Sequence, residues 1–216
     1  MPIQIYDNQV AKNIATELLR IQAIKLRPND PFTWASGWKS PIYCDNRLSL
    51  SFPEVRSYVK KALADLIKDK FDGVEAIAGV ATAGIPQGAL VADLLGLPFI
   101  YVRSKSKSHG MGNQIEGVVT KGQKVVLLED LVSTGGSSLM AADAVREAEM
   151  DVLGMVAIFT YGFPISEENF KKHQIDLWCL SDYHHLIEVA SENKTIQPES
   201  LDTLKQWRQD PGHWKG

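Results

Sequence analysis

The chain has 216 residues, 44% hydrophobic and 23% charged, with a formal net charge of -3. That balance is ordinary for a soluble globular protein, and a chain this long buries enough surface to fold without disulfide or metal staples. The charge excludes a global basic field for nucleic acid or acidic membranes, so any anion site must come from a local concentration of positive groups.

Cys44 and Cys179 show neither a CxxC pair nor metal-ligand spacing, and read as small buried thiols in a reducing compartment. The first residues lack the basic stretch and apolar core of a signal peptide. No apolar run approaches the roughly 20 residues of a membrane helix. The expected location is the cytoplasm.

Val10, Ile14, Leu18 and Ile21 recur at helical spacing over residues 7–23, with Asp7 placed as the cap. Residues 28–46, rich in Pro, Ser, Gly and aromatics, read as short strands and turns. A second helix is expected over 53–69, where Val55, Val59, Leu63 and Leu66 share a stripe. Residues 74–80 read as a buried strand, ended by the turn Ala81-Thr82-Ala83-Gly84, and a helix follows over 86–95, stopped by Gly96. Further strands are expected at 99–102, 125–128, 152–160 and 175–180, with a helix over 138–149. Short apolar strands alternating with helices indicate βαβ units, hence an α/β fold with a mostly parallel central sheet flanked by helices. Such sheets bind ligands at the carboxyl ends of their strands. Residues 103–113 contain one apolar residue, Met111; so polar a stretch is expected to move and to serve as a lid.

The most informative segment is Val125-Val126-Leu127-Leu128-Glu129-Asp130-Leu131-Val132-Ser133-Thr134-Gly135-Gly136-Ser137-Ser138. A hydrophobic strand delivers two adjacent carboxylates, and small residues then open a helix. The first helical turn offers unpaired N–H groups and the positive end of the dipole. Gly135 and Gly136 admit a phosphate closely, while Ser133, Thr134 and Ser137 supply hydroxyls. Carboxylates beside a phosphate repel it unless they accept hydrogen bonds from sugar hydroxyls, so a ligand with both ribose and phosphate suits both halves. Gly79 and Gly84 have P-loop spacing, but Ile85 and Pro86 follow them; Gly110 and Gly112 sit in the polar stretch, away from any strand-to-helix turn.

The segment from Leu128 to Ser137 resembles the signature of the type I phosphoribosyltransferases. The resemblance implies a core sheet with a small N-terminal hood, a single domain with residues 1–50 as extension and hood and 70–190 as α/β core. It implies that Glu129 and Asp130 hold the ribose hydroxyls of phosphoribosyl pyrophosphate, while Leu131, Val132, Ser133, Thr134, Gly135, Gly136 and Ser137 wrap its 5-phosphate. The turn Gly79-Val80-Ala81-Thr82-Ala83-Gly84 resembles the pyrophosphate loop of the same family.

Two more stretches narrow the family. Phe32-Thr33-Trp34-Ala35-Ser36-Gly37-Trp38-Lys39-Ser40-Pro41-Ile42-Tyr43-Cys44-Asp45-Asn46-Arg47 resembles the N-terminal segment of orotate phosphoribosyltransferases, and Arg103-Ser104-Lys105-Ser106-Lys107-Ser108-His109-Gly110 their catalytic loop. The likeness runs from residue 14 to about 192. It implies that Arg103, Lys107 and His109 meet the pyrophosphate, that this arm reaches a neighbouring subunit's site in a homodimer, and that Ser133 lies on the orotate side. In some orotate enzymes lysines stand where this chain has Ala35 and Ser104, and an arginine where it has Tyr161; the lysines meet the donor and the arginine the base. Lys39 either compensates for Ala35 or is a surface lysine.

The implied reaction is displacement at the anomeric carbon with inversion, helped by positioning and by stabilisation of the departing pyrophosphate, chiefly by Lys107. Mg²⁺ suits such a donor and is held mainly through substrate oxygens, so no direct protein ligand is required. One rival is a transferase for another base such as adenine, which the stretch 32–47 argues against. The other is a nucleic-acid-binding regulator, which would need a basic face or an added domain. The residues do not decide whether Trp207 and the tail after it cap the hood or hang free.

Overall fold

The computed structural model describes residues 3–34, 36–104 and 114–214. Strand β1 (Ile3–Ile5) leads into helix α1 (Asn8–Arg20), capped by Asp7, whose carboxylate accepts the Val10 N–H at 2.8 Å. Strands β2 (Ile24–Leu26), β3 (Phe32–Thr33), β4 (Lys39–Ser40) and β5 (Ile42–Cys44) form two antiparallel pairs, β2 with β5 and β3 with β4. These pairs are the hood. A 3-10 turn (Asn46–Ser51) enters α2 (Pro53–Lys70), opened by a proline because the first helical turn needs no donor there.

The remainder alternates strand and helix: β6 (Ala76–Val80), α3 (Gly84–Leu95), β7 (Phe99–Val102), β8 (Ile115–Glu116), β9 (Lys124–Val132), α4 (Gly136–Glu147), β10 (Asp151–Thr160), α5 (Pro164–His173), β11 (Leu177–Asp182), α6 (Tyr183–Glu192) and α7 (Leu201–Gln209). Seven strands make one sheet in the order β1-β11-β10-β9-β6-β7-β8, parallel throughout except at β7–β8. Both faces are covered, so β9 reads as an unbroken apolar run and not as an alternation. Val126 and Leu128 share a core with α1, α2, α3 and α6; Val125 and Leu127 share the other with α4 and α5. All four are fully buried, each contributing about 1.5–3 kcal/mol.

Four expectations need correction. β9 does not stop at Leu128 but runs to Val132, because β10 carries the pairing onward to Leu131↔Phe159 and Val132↔Thr160. Helix α4 starts at Gly136 and α3 at Gly84, each two residues early, since tolerance of Gly and Pro in a first turn blurs its edge. β11 ends two residues later than residue 180, at Asp182, which also caps α6 by accepting the His185 N–H at 2.9 Å. β1 and β8, of three and two residues, were too short to show a periodicity. Among the described residues no helix is long and apolar enough to cross a membrane.

The topology also fixes where a ligand can enter. From β6 the chain crosses through α3 to β7 on one side; from β9 it crosses through α4 to β10 on the other. The two helices cover opposite faces, so a switch point opens between the carboxyl ends of β6 and β9. β6 pairs with β9 only as far as Gly79↔Leu128, so within the sheet residues 129–132 pair only with β10.

Candidate active site

Glu129 and Asp130 stand just above that last pair. Gly84 enters α3 so close to β9 that a Cβ there would collide with the Leu128 carbonyl oxygen; the absence of a side chain lets the turn at 81–83 sit beside the carboxylates. Glu129 is 6% exposed. One of its oxygens accepts the Asp130 N–H at 3.0 Å, and the other lies 3.3 Å from the Ser138 hydroxyl, which donates to it. Burial first, then the neighbouring charge of Asp130, pushes the Glu129 carboxyl well above its ordinary range. Burial likewise raises Asp130, opposed by hydrogen bonding and by the Arg47 guanidinium. A buried and a half-buried acid side by side at the end of a strand are costly as they stand, and hydroxyl donors or a cation on a ligand would relieve them.

Residues 133–135 turn into α4. Gly135 holds φ +84°, and a Cβ there would meet the Phe170 ring at 2.7 Å, so only glycine allows the turn to press on α5. From α5, Asn169 donates to the Thr134 carbonyl at 3.0 Å. Above Gly136 a Cβ would meet nothing within 4 Å. The first-turn N–H groups of α4 therefore face an open space, with the positive end of the helix dipole behind them. The hydroxyls of Ser133, Thr134 and Ser137 have no hydrogen-bond partner among the described residues. This is an anion cradle one turn from two carboxylates.

The hood closes the other side. Asn46, 1% exposed, donates to the Asp130 carbonyl at 2.7 Å. Ser49 donates to the Asn46 carbonyl at 2.6 Å and accepts from Gln87 of α3 at 3.1 Å, so a polar chain ties hood, α3 and acidic pair together. Arg47 is held bidentately by Asp45, at 2.6 and 2.9 Å. At the end of β10, Tyr161 lies buried between Trp34 of the hood, 5.3 Å between ring centres, and Phe163, also 5.3 Å. Burial raises its hydroxyl well above the usual range, with Cys44 and Asp130 adding to the effect.

The other expected site residues divide in two. Arg103 follows β7; its N–H bonds the Gln114 carbonyl at 2.9 Å and its carbonyl accepts from the Gln114 side chain at 2.8 Å, while its guanidinium lies 3.6 Å from Glu116. Lys107 and His109, like Ala35, lie outside the described residues. Leu131 and Val132 belong to β9; the Val132 side chain is buried in the core, and its carbonyl accepts from the Thr160 hydroxyl at 3.0 Å and the Tyr161 N–H at 3.3 Å. Ser104 and Lys39 are exposed, and Lys39 donates to Thr33 at 2.9 Å.

A model of the phosphoribosyl transferase domain family matches residues 50–184. The orotate phosphoribosyltransferase of Cytophaga hutchinsonii is 57% identical over 204 residues, 94% of this chain and 98% of the relative. This chain belongs to the orotate phosphoribosyltransferase family. The family's relative from Porphyromonas gingivalis is 56% identical over 205 residues, 95% of this chain and 98% of its own length. Among solved structures, the orotate phosphoribosyltransferase of Aeropyrum pernix superposes with a TM-score of 0.74 at 25% identity, covering 85% of this chain and 99% of that one.

Within this orotate phosphoribosyltransferase family member, sequence reasoning passed over Ser138, Asn46, Asn169 and Arg208. Ser138 was reachable as the next hydroxyl in the signature. The other three had no signal, since each acts across more than 30 residues of chain: Asn46 on Asp130, Asn169 on Thr134, and Arg208 on Tyr161, whose carbonyl accepts from its Nε at 3.0 Å.

Proposed function

We propose that the chain transfers ribose 5-phosphate from phosphoribosyl pyrophosphate to orotate, giving orotidine 5'-phosphate and pyrophosphate, in the cytoplasm, as a homodimer. The observation that carries this is the pairing of the acidic couple with the α4 cradle, in a chain 57% identical over 204 residues to a named orotate phosphoribosyltransferase. A ring nitrogen of orotate loses its proton, to the departing pyrophosphate or to water, and forms the new bond to the anomeric carbon as the bond from that carbon to the pyrophosphate oxygen breaks. Glu129 and Asp130 accept hydrogen bonds from the ribose hydroxyls. Residues 133–137 bind the 5-phosphate, and Ser133 borders the base. Arg103, with Lys107 and His109, stabilises the leaving charge.

The donor set suits Mg²⁺ brought with the donor. Burial pushes both carboxyls towards protonation, and the Arg47 guanidinium opposes the shift at Asp130. Glu129 and Asp130 would hold the metal only through the ribose oxygens they orient. When bound, it supplies charge neutralisation to the pyrophosphate.

The test is to follow orotate absorbance with purified protein, Mg²⁺ and phosphoribosyl pyrophosphate, running adenine, hypoxanthine and uracil in parallel. Consumption of orotate alone, abolished by chelation, is the expected result. Turnover of another base alone would overturn the acceptor and leave the donor site standing.

A further inference from the structure

The end of β10 has a support that neither the signature nor the hood supplies. Pairing of β10 with β11 stops at Thr160↔Asp182, so the carbonyls of Tyr161 and Gly162 lie beyond the ladder. Both are taken by Arg208 of α7: Nε donates to the Tyr161 carbonyl at 3.0 Å and Nη2 to the Gly162 carbonyl at 2.9 Å. Gly162 holds φ +62°, and a Cβ there would come within 2.9 Å of the same Nη2, so the turn and the guanidinium fit each other closely. Arg208 makes no ion pair among the described residues, and its rigid fork is committed to these two acceptors.

The preceding residue grips the hood. Trp207 is fully buried, and its indole N–H donates to the Lys39 carbonyl at 3.2 Å. Its ring meets Trp34 at 5.7 Å, Tyr161 at 5.6 Å and Tyr183 at 5.3 Å between centres. Trp34 in turn donates to the Ile42 carbonyl at 3.1 Å and packs on Tyr161. Two adjacent residues of one helix therefore hold both the hood hairpin and the end of β10. None of the hydrogen bonds made by these two side chains goes to residues 129–138.

We propose that α7 sets the base-side wall of the cleft, with Arg208 as a positioning residue for the acceptor and Trp207 as its anchor on the hood. The proposal rests on the orotate reading above and deepens it. The fork fixes the Tyr161–Gly162 backbone, Tyr161 fixes Trp34, and Trp34 fixes the hairpin that closes over the base. The donor half keeps its own contacts through Ser138 and Asn169. It touches this wall where the Thr160 hydroxyl and the Tyr161 N–H donate to the Val132 carbonyl, at 3.0 and 3.3 Å, so α7 acts first on how the base is held and much less on the diphosphate donor.

Steady-state kinetics of the full chain, with orotate and donor varied separately, tests this. Arg208→Ala is expected to raise KM for orotate about tenfold, equivalent to ~1.4 kcal/mol, with KM for the donor within about twofold of wild type. Arg208→Lys keeps the charge but loses the fork, and should recover only part of the loss; Trp207→Phe keeps an aromatic side chain but loses the N–H and part of the packed indole, and should shift the same constant less. If Arg208→Ala fails to fold, Arg208→Lys and Trp207→Phe carry the test alone. Parallel shifts in both KM values, or a fall in kcat with both unchanged, would overturn the proposal and leave α7 as packing only. If the wild type accepts a different base, the orotate reading fails by itself, and the same split is read with that base.

Discussion

The donor half and the base half that the proposed reaction gives the cleft are built in opposite ways. The donor half is local: Glu129, Asp130, the turn at 133–135 and the first turn of α4 fall within ten consecutive residues, bonded to one another through Ser138 and to α5 through Asn169. The base half is assembled from segments far apart in the chain: Trp34 and the hood strands, Tyr161 at the end of β10, and Trp207 with Arg208 on α7. A phosphate and two hydroxyls are met by backbone N–H groups and carboxylates, which a strand, a turn and a helix supply at short range. A flat base needs walls on both sides, and one short segment cannot provide both.

The difference can be broken or sharpened by experiment. The largest effect is expected from Lys107→Ala, which should lower kcat by about 10²–10³, the usual loss of one charge-stabilising donor, with an unchanged melting temperature. A near-normal rate would remove Lys107 from the mechanism. Next comes Asp130→Asn, which should weaken the donor by about 10–100-fold, one to two hydrogen bonds to a charged acceptor, and barely move KM for orotate. An equal loss for both substrates would show that the halves are not separable.

Gly84→Ala should destabilise the fold by about 1–3 kcal/mol, as overpacking does, because the added methyl meets the Leu128 carbonyl. Denaturant unfolding measures it; an unchanged midpoint would mean that α3 shifts freely along β9. Asn46→Ala removes a side chain that bonds the hood end to the acidic pair and should cost about 1–3 kcal/mol, raising both KM values together, since this residue sits on the seam.

The smallest effect is on pH dependence. Burial holds the Glu129 carboxyl above its ordinary 4.5 in the folded chain, so the folded state binds its proton more tightly than the unfolded state does. Below that ordinary value the group contributes nothing; as pH rises from there towards the raised folded value, stability falls. Glu129→Gln carries no charge to bury, so unliganded Glu129→Gln should melt above wild type by a margin that widens with pH, at most ~1.4 kcal/mol per unit. A constant margin from pH 4 to 8 would show that folding does not raise the Glu129 carboxyl.

The sequence by itself determined what lies close along the chain. The apolar run 125–128 marked a strand buried on both faces, Asp7 and Gly96 marked helix ends, and adjacent acids followed by small residues marked a strand that turns into a helix, because each signal is a short-range consequence of backbone chemistry. Only the tertiary structure decided that β9 continues through Val132, since the pairing that extends it comes from β10. It also decided the role of the C-terminal helix. Trp207 and Arg208 look like any tryptophan and arginine on an amphipathic turn, until the fold sets the Lys39, Tyr161 and Gly162 carbonyls beside them. A hydrogen bond spanning 168 residues leaves no periodic trace in the sequence, because its partner is chosen by the packing of the intervening chain.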